Sequence, residues 1–324
     1  MKILFIRFSA IGDIVWTTPV IRCTKQQITG VEIHFVTKYQ NRNLVENNPY
    51  IDRVFYLQDS LKELLKVLKN EKYDYVVDLH NNLRSTLAKL YLAKPFSTFN
   101  KLSLRRFLYT RYQIKAMPKN LHVVDRMMAT VRKLGVVNDG KGLDFFISDN
   151  DHVNINEFPE PFHSGYAVYV IGASQPTKKL PMNKMIELCL KINIPIILIG
   201  GKEDSETGQK LVNNLPDQLI LNASGKYSIS QSASIVKQST IVYGHDTGLT
   251  HIAAAFSKKI VSIWGSTSSW GYAPYLGDNV LLELKDLACH PCSKSGRKIC
   301  PLGHFKCMND LDFIFTLNGI EGSH

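Results

Sequence analysis

The chain has 324 residues, of which 44% are hydrophobic and 21% charged, and it carries a formal net charge of +11. This length suits two domains of about 150 residues each, and the composition is that of a globular protein. No apolar run reaches the roughly 20 residues of a membrane-spanning helix, and the amino terminus lacks the apolar core of a signal peptide. We therefore expect a cytoplasmic protein with reduced thiols.

The positive charge is concentrated in one segment. No acidic residue occurs between Asp78 and Asp125. The same stretch contains nine basic residues: Arg84, Lys89, Lys94, Lys101, Arg105, Arg106, Arg111, Lys115 and Lys119. Such a field attracts anions, for example nucleic acid, a phospholipid surface or a phosphorylated substrate. The alternative of a merely solvated basic face is disfavoured by the absence of acidic residues over this length.

Strands and helices alternate along the first half of the chain. The predicted strands are residues 2–8, 32–37, 54–57 and 73–79. The predicted helices are residues 14–27, 41–48, 60–70 and 122–134, and the basic segment shows only helical patches. This alternation is typical of βαβ units and a parallel sheet.

The alternation restarts after a linker at residues 158–162, where two prolines interrupt regular structure. The predicted strands are residues 166–171, 194–199, 218–221, 239–243 and, as the last, 259–264. The predicted helices are residues 183–191, 203–213, 230–237, 249–256 and a closing helix at 311–317. We predict an N-terminal domain over residues 1–160, joined by a C-terminal helix at 309–320, and a C-terminal domain over residues 161–308.

The first predicted strand leads into a polar loop, Ser9-Ala-Ile-Gly-Asp13. In an open parallel sheet, ligands bind beyond the carboxyl ends of the strands. Gly12 allows close approach of a ligand, and Asp13 either caps the following helix or serves as a general base. The loop has one glycine and lacks the G-x-G-x-x-G pattern of a dinucleotide site, so NAD is disfavoured.

A second polar turn, Gly244-His-Asp-Thr-Gly248, stands between a strand and a helix in the second half. The free N–H groups of the helix's first turn and the helix dipole make such a turn an anion site. Thr247 can cap the helix, while Asp246 and His251 add an acceptor and a donor. A simple capped turn is the alternative, and the presence of two such turns favours ligand binding.

Six motifs spread along the chain resemble those of glycosyltransferase family 9, the bacterial lipopolysaccharide heptosyltransferases. In order, they are Ile6–Asp13 with Thr18-Pro19, His122–Arg126, Gly172–Ser174 with Lys178–Pro181, Gly200–Asp204, Asp246–Ala255 and Val261–Thr267. The resemblance implies the GT-B fold, with two Rossmann-like α/β domains whose parallel sheets face each other across a cleft. The chain departs from the family pattern at Ile171, Leu180 and Ser266, all on the donor side.

The resemblance implies an inverting, metal-independent transferase that moves L-glycero-D-manno-heptose from ADP-heptose to the inner core (Kdo/heptose) of lipopolysaccharide. Asp13 would be the catalytic base, and Lys178 would pair with the donor diphosphate. The implied donor-binding residues are Gly12, Ser174, Glu203, Asp246, Thr247, Gly248, Leu249 and His251. No cofactor is implied.

An inner-core acceptor is anionic and membrane-borne, so we expect the basic segment to bind it. The expected acceptor-binding residues are Arg84, Arg105, Arg106 and Arg111. The protein would then be peripheral on the inner face of the inner membrane. Two alternatives stay open: the same fold moving another nucleotide-activated sugar to a cell-surface glycan, and a non-catalytic RNA-binding protein using the aromatic residues of the basic segment. Two polar turns are not needed for RNA binding, so no nucleic-acid partner is expected.

The cysteines near the carboxyl end form a separate group, consisting of Cys289, Cys292, Cys300 and Cys307, with His290 and His304 among them. A C-x2-C pair followed by two more cysteines suggests structural zinc in a cytosolic protein. The irregular spacing of the second pair makes a metal-free structural cluster the favoured interpretation. Cys23 and Cys189 lie on apolar helix faces and are expected in the core.

Overall fold

A computed structural model describes residues 1–114, 118 and 121–313 of the chain. The described residues form two α/β units: residues 1–103 with 121–148, and residues 104–114 and 118 with 149–313. The basic segment is thus divided, because its part from Leu104 onward groups with the second unit. We predicted a boundary after residue 160, and the second unit takes up the chain again at Asp149.

The first unit contains a five-stranded parallel sheet in the order β3-β2-β1-β4-β5. Its strands are β1 (Lys2–Ile6), β2 (Glu32–Lys38), β3 (Arg53–Leu57), β4 (Tyr75–Asp78) and β5 (Phe96–Thr98). Its helices are α1 (Ile11–Val15), α2 (Thr18–Gln27), α3 (Leu61–Asn70), α4 (Leu83–Leu92) and, after α5 (Ser103–Tyr112), α6 (Val123–Met128). Helix α5 groups with the second unit from Leu104 onward. The central strand β1 is apolar and buried from Ile3 to Ile6, as expected for a strand covered on both faces.

The second unit contains a six-stranded parallel sheet in the order β11-β10-β9-β6-β7-β8. Its strands are β6 (Ala167–Val170), β7 (Ile196–Ile199), β8 (Ile220–Asn222), β9 (Ile241–His245), β10 (Lys259–Trp264) and β11 (Asn279–Glu283). Its further helices are α7 (Met182–Leu190), α8 (Ser205–Asn214), α9 (Ile229–Gln238), α10 (Gly248–Ala255) and α11 (Lys306–Asn309). The core cluster under this sheet joins Tyr169, Tyr243 and Ile263 to Leu188 of α7.

Several helices begin at side chains that supply a hydrogen bond which the backbone lacks. Ser60 accepts from the N–H of Glu63 at the start of α3. Asn82 and Ser85 exchange hydrogen bonds at the start of α4, and Ser228 and Gln231 do the same at α9. The last two pairs are capping boxes, and a helix cap of either kind stabilises a helix start by about 1 kcal/mol.

Most of the predicted elements are present, and four predictions are wrong. The predicted helix 14–27 is divided into α1 and α2, because Pro19 lacks the N–H that a continuous helix would use there. The predicted helix 41–48 is a 3₁₀ helix at Tyr39–Leu44, and the one at 122–134 stops at Met128, with a 3₁₀ turn at Arg132–Leu134. The strand at 259–264 is not the last, since β11 follows it. The predicted closing helix at 311–317, within the C-terminal helix assigned to 309–320, has only residues 311–313 among the described residues, and these are not helical.

Within the described part of the chain, no helix combines the length and the apolar character that crossing a bilayer requires.

A buried ion pair joins β4 to α4. Lys89 Nζ lies 2.8 Å from Asp78 Oδ2, and the two side chains are 7% and 0% exposed. The N–H groups of His80 and Asn81 donate to the other carboxylate oxygen, at 2.9 and 2.7 Å. Lys89 and these two N–H donors are thus the partners of the buried Asp78 carboxylate.

We expect Lys89→Met to lower the free energy of unfolding by about 3 kcal/mol, because it leaves a buried carboxylate without its counter-ion. Urea denaturation followed by circular dichroism measures this loss. The double variant Asp78→Asn/Lys89→Met should recover part of it, since both charges are then gone. Lys210→Met, at an exposed Glu206–Lys210 pair, is the control and should cause no measurable change. A single Lys89 variant as stable as that control contradicts the prediction.

Candidate active site

The first polar loop lies where the strand order of the first sheet reverses. From β1 the chain proceeds outward through β2 and β3, and then returns to add β4 and β5 on the other side of β1. The loops after β1 and β4 diverge at such a switch point and leave a crevice at the carboxyl edge of the sheet. The loop Ser9–Asp13 and the loop after Asp78 border this crevice.

Asp13 is held in this loop by two hydrogen-bond donors. Its Oδ1 lies 2.5 Å from Arg7 Nη2, and its Oδ2 accepts from the N–H of Ala10 at 3.1 Å. The Ala10 contact is the helix-capping interaction that the sequence allowed. About a third of the Asp13 side chain remains exposed. Because each carboxylate oxygen can accept two hydrogen bonds, Asp13 can still take a proton from a ligand hydroxyl.

Arg7 organises this loop, although no motif in the sequence predicts a role for it. It is buried, and its guanidinium donates to the carbonyls of Ser9 (2.8 Å) and Leu79 besides pairing with Asp13. It therefore ties the loop after β1 to the loop after β4. A lone arginine at the end of an apolar strand was the available signal, since a buried guanidinium requires acceptors.

His80 forms the other wall of this crevice. The N–H of Phe8 donates to His80 Nδ1 at 3.2 Å. Burial, reinforced by the nearby positive charge of Arg7, lowers the pKa of His80 to about 4. The imidazole is therefore neutral at physiological pH and cannot compete with Arg7 for the charge of Asp13.

A polar cavity of about 720 Å³ opens at the carboxyl ends of β2 and β3 in the same unit. Its lining residues are Lys38, Tyr39, Gln40, Leu57, Gln58, Asp59, Leu61 and Arg84. Arg84, predicted to bind the acceptor, therefore shares a cavity with a second cation, Lys38. The cavity and Asp13 lie on the same edge of the sheet, because that edge collects the carboxyl ends of all the parallel strands.

The second polar turn lies at the corresponding reversal in the second sheet. There β6 and β9 are neighbours, with β7 and β8 on one side and β10 and β11 on the other. The segment after β6 contains Lys178 and the turn after β9 contains Asp246. Their side chains meet, with Lys178 Nζ 2.7 Å from Asp246 Oδ2.

Asp246 is the centre of a small polar cluster. Thr267 Oγ1 donates to its Oδ2 at 3.0 Å, and Nε2 of the buried His251 lies 4.0 Å from its Oδ1. Thr247 occupies the N-cap position of α10, but its hydroxyl makes no capping hydrogen bond. Thr247, Gly248 and Leu249 are half-buried, so the first turn of α10 borders this cluster without the predicted side-chain cap.

Lys178 is fixed by the loops behind it. It ends the 3₁₀ helix Pro176–Lys178, where Thr177 Oγ1 accepts from the N–H of Arg297 at 2.7 Å. Gly296 has a φ of +91°, and a Cβ there would lie 2.9 Å from Lys178 Cδ. Glycine is therefore required at position 296, a requirement that the sequence did not predict.

Two predicted donor-binding residues lie farther along this edge. Ser174 is exposed after β6, and Glu203 is exposed in the 3₁₀ helix Lys202–Asp204 after β7. The buried residue of that turn is Asp204, which pairs with Lys179 at 2.5 Å and accepts from the N–H of Gly201 at 2.9 Å. Gly172 permits this arrangement, because a Cβ there would lie 2.6 Å from Asp204 Oδ2.

His245, at the end of β9, is a further residue that sequence reasoning missed. It is fully buried, and its Nε2 accepts from the N–H of Leu180 at 2.9 Å. Burial, together with the charges of Lys179 and Lys178, lowers the pKa of His245 to about 3. The neutral imidazole thus anchors the loop that carries Lys178.

The basic residues of α5 contact other parts of the second unit. Arg106 donates to the carbonyl of Lys294 at 2.9 Å and lies 4.7 Å above the Tyr272 ring, whereas Arg105 and Arg111 are exposed. Tyr109 packs edge-on against Trp270 at 5.1 Å. Tyr109 is thus used in packing, which weakens the RNA-binding alternative that needs its ring exposed.

The cysteines near the carboxyl end lie in an irregular segment and on α11. Cys289 Sγ is 3.9 Å from His304 Nε2, and burial raises the pKa of the Cys307 thiol to about 12. Among residues 1–114, 118 and 121–313, no three His, Cys, Asp or Glu side chains are arranged to hold a metal ion. The zinc interpretation stays a hypothesis. Cys23 and Cys189 are buried, as predicted.

Comparison with known proteins agrees with these features. The sequence model of glycosyltransferase family 9 (heptosyltransferase) matches residues 61–302. The chain is 26% identical over 318 residues to lipopolysaccharide heptosyltransferase 1 of Campylobacter coli, covering 87% of this chain and 89% of that one.

Solved structures with the same fold include two from Escherichia coli. ADP-heptose lps heptosyltransferase II superposes with a TM-score of 0.69 at 19% identity, covering 96% of this chain and 98% of the other. Heptosyltransferase WaaC with ADP superposes with a TM-score of 0.64 at 19% identity, covering 90% and 97%. The predicted GT-B fold class, with two parallel-sheet α/β domains, is confirmed.

The buried neutral His245 generates a prediction about pH. Its pKa is about 3 in the folded state and about 6.5 in the unfolded state, so the unfolded state binds one more proton between these values. The stability that His245 contributes is fully present above pH 6.5 and is lost as the pH falls toward 3.

We expect the unfolding free energy of the wild type to fall by about 2 kcal/mol more than that of His245→Gln between pH 7 and pH 5. Urea titrations at a series of pH values give both slopes. His152→Asn, at an exposed position, should keep the wild-type slope. Parallel slopes for wild type and His245→Gln would contradict the assignment of a neutral, buried imidazole.

Proposed function

The chain belongs to glycosyltransferase family 9, the heptosyltransferases, and from this we propose that it transfers L-glycero-D-manno-heptose from ADP-heptose to the inner core of lipopolysaccharide. The observation that carries the proposal is the cluster after β6 and β9. There Lys178, whose Nζ lies 2.7 Å from Asp246 Oδ2, lies beside the first turn of α10. A cation and free helix N–H groups suit the diphosphate of a nucleotide-sugar donor.

In the proposed reaction, a carboxylate oxygen of Asp13 takes the proton from the acceptor hydroxyl. The hydroxyl oxygen attacks the anomeric carbon of the donor as the bond from that carbon to the phosphate oxygen breaks. The electron pair of that bond goes to the departing ADP. A single displacement inverts the anomeric configuration, which is why one base suffices.

Lys178 and the first turn of α10 act on the leaving group. Negative charge grows on the diphosphate as the bond breaks, and a fixed cation with oriented N–H groups stabilises that charge. Asp246 fixes Lys178, and Thr267 and His251 surround Asp246. These groups offer the charge stabilisation that a divalent ion provides in other transferases, so we propose that no metal is required.

Two E. coli enzymes with the same fold support the donor assignment. One of them is described as ADP-heptose lps heptosyltransferase II, and the other has ADP bound. Ser174, Glu203, Thr247, Gly248 and Leu249 would contact the remainder of the donor, and Gly12 would let it approach the first loop.

For the acceptor we propose the cavity that Arg84 and Lys38 line. The phosphates and acidic sugars of an inner core match two cations in a polar cavity. The exposed Arg105 and Arg111 would add to this attraction, whereas Arg106 is engaged with Tyr272 and Lys294. The enzyme would then act as a peripheral protein on the inner face of the inner membrane, where a lipid-linked acceptor is presented.

We expect Asp13→Asn to reduce turnover by about 10²–10⁴-fold, the usual contribution of a general base, and to leave ADP affinity unchanged. The amide oxygen can replace only one of the two carboxylate contacts, that with Ala10 or that with Arg7, so unchanged ADP affinity also serves as the check that the variant is folded. A matched control is Asp125→Asn, because Asp125 accepts from the N–H of His122 at 3.1 Å in the same capping geometry. If both variants retain near-normal turnover in a coupled ADP-release assay, Asp13 is only a helix cap.

Calorimetric titration with ADP, UDP and GDP tests the donor, and ADP should bind most tightly. Lys178→Ala should weaken ADP by about 10-fold to 100-fold, corresponding to a charge-assisted hydrogen bond of about 1.5–3 kcal/mol. Lys191→Ala, at an exposed position, is the control and should bind ADP like the wild type. Tighter binding of UDP or GDP would overturn the ADP-heptose assignment and favour another nucleotide sugar.

A further inference from the structure

Helix α4 turns its apolar side chains away from the protein. The residues on its buried face are Ser85, Ala88, Lys89 and Leu92. The residues on its outer face are Leu83, Leu87, Leu90 and Tyr91, which are 75%, 45%, 67% and 46% exposed. Positions i, i+4 and i+7 share one side of a helix, so the three leucines form a continuous stripe. A helix on a water-facing surface has the opposite pattern.

Lysines of α3 flank this leucine stripe. Lys62, Lys66 and Lys69 also follow i, i+4, i+7 spacing on α3 and form one row. Lys69 Nζ donates to the carbonyls of Tyr91 and Leu92 at 3.1 and 3.2 Å, so the row runs beside α4. Lys66 is exposed, and α4 itself contains no carboxylate. The surface is therefore apolar along its centre and cationic along its side.

The leucine stripe begins at the edge of the proposed acceptor cavity. Arg84 lines that cavity, and Leu83, the most exposed of the leucines, directly precedes it in α4. A molecule held at the stripe would therefore lie next to the cavity mouth.

We propose that this face of α4, with the lysine row of α3, docks on the surface of an anionic phospholipid bilayer. The leucines enter the boundary between head groups and acyl chains, and the lysines contact the anionic head groups. A second copy of the chain is a poorer occupant, because a two-fold contact presents the same patch on both partners, and α4 contains no carboxylate to pair with the partner's lysines. The proposal rests on the proposed function, since it delivers a lipid-linked acceptor to the cavity beside Arg84.

Flotation with vesicles tests the docking without any donor or acceptor. The wild type should bind vesicles of phosphatidylcholine with 30% phosphatidylglycerol more strongly than vesicles of phosphatidylcholine alone. Leu83→Gln/Leu87→Gln/Leu90→Gln should reduce binding by about tenfold or more, because it removes the inserting apolar surface. Glutamine is a good helix former, and these positions are exposed, so α4 should remain folded.

A matched control removes three exposed apolar residues elsewhere. Val137, Leu190 and Leu219 are 65%, 55% and 53% exposed, and replacing all three with glutamine should leave vesicle binding unchanged. Equal loss in this control and in the α4 variant would overturn the proposal, because binding would then not depend on the stripe. Absence of wild-type binding to either kind of vesicle would also overturn it.

The lysine row is tested by Lys62→Gln/Lys66→Gln. Each lost charge should weaken binding to the anionic vesicles by about fivefold at low salt, and binding to neutral vesicles should not change. The difference between wild type and variant should shrink at 0.5 M salt, where screening is strong. If the difference in vesicle binding between wild type and variant does not depend on salt, the proposed contact between the lysines and the anionic head groups is contradicted.

Two further measurements separate this proposal from its alternatives. Light scattering reports whether the leucine variant converts a dimer to a monomer, an outcome that would assign the stripe to a second copy and overturn bilayer docking. Turnover by the leucine variant should fall for an acceptor embedded in vesicles and stay normal for the same acceptor freed of its acyl chains. If neither acceptor is glycosylated, the proposed function fails, while the flotation result still decides the docking.

Discussion

Both candidate clusters depend on one geometric constraint of parallel sheets, namely that every strand ends at the same edge. Where the strand order reverses, the connecting segments diverge and leave that edge open. In the first unit this edge carries the loops after the neighbouring strands β1 and β4, and Arg7 bonds the two loops together. In the second unit it brings Lys178 and Asp246 together, although they follow different strands. The chemistry is thus assembled from segments that are far apart in sequence.

Each cluster is built around a pair of opposite charges. Arg7 fixes the orientation of Asp13, and Asp246 fixes that of Lys178. A lone ionised side chain at a crevice would sample many rotamers, and holding it in one position beforehand avoids the entropy cost of ordering it when a ligand binds. The neutral imidazoles of His80 and His245 stabilise the same loops without adding charge.

The sequence predicted the alternation of strands and helices because most strands are buried apolar runs bounded by polar turns. The sequence-based prediction failed where buried positions are polar or exposed positions are apolar. Strand β11 is an edge strand with only Val280 and Leu282 buried, so it lacks a clear apolar run. Helix α4 buries Ser85 and Lys89 and exposes leucines, which no periodicity rule anticipates.

The candidate site was predictable only in part, for the same physical reason. Asp13, Lys178 and Asp246 stand in recognisable motifs, and the two donor-side residues are in contact in the structure. Their supports are tertiary: Arg7, Thr267 and Gly296 act through contacts that sequence spacing does not encode. The catalytic and binding roles assigned to these residues remain predictions.

The pairing of Lys178 with Asp246 has a consequence for the design of inhibitors. If Lys178 binds the donor diphosphate as we propose, an anionic mimic of that diphosphate must compete with a carboxylate that already lies 2.7 Å from the lysine, and the dehydration of its own charges opposes binding. An uncharged scaffold that leaves this ion pair intact and hydrogen-bonds to the first turn of α10 avoids both costs. Such compounds also cross lipid bilayers more readily than phosphates, so a small-molecule screen against this protein is best weighted toward neutral chemotypes.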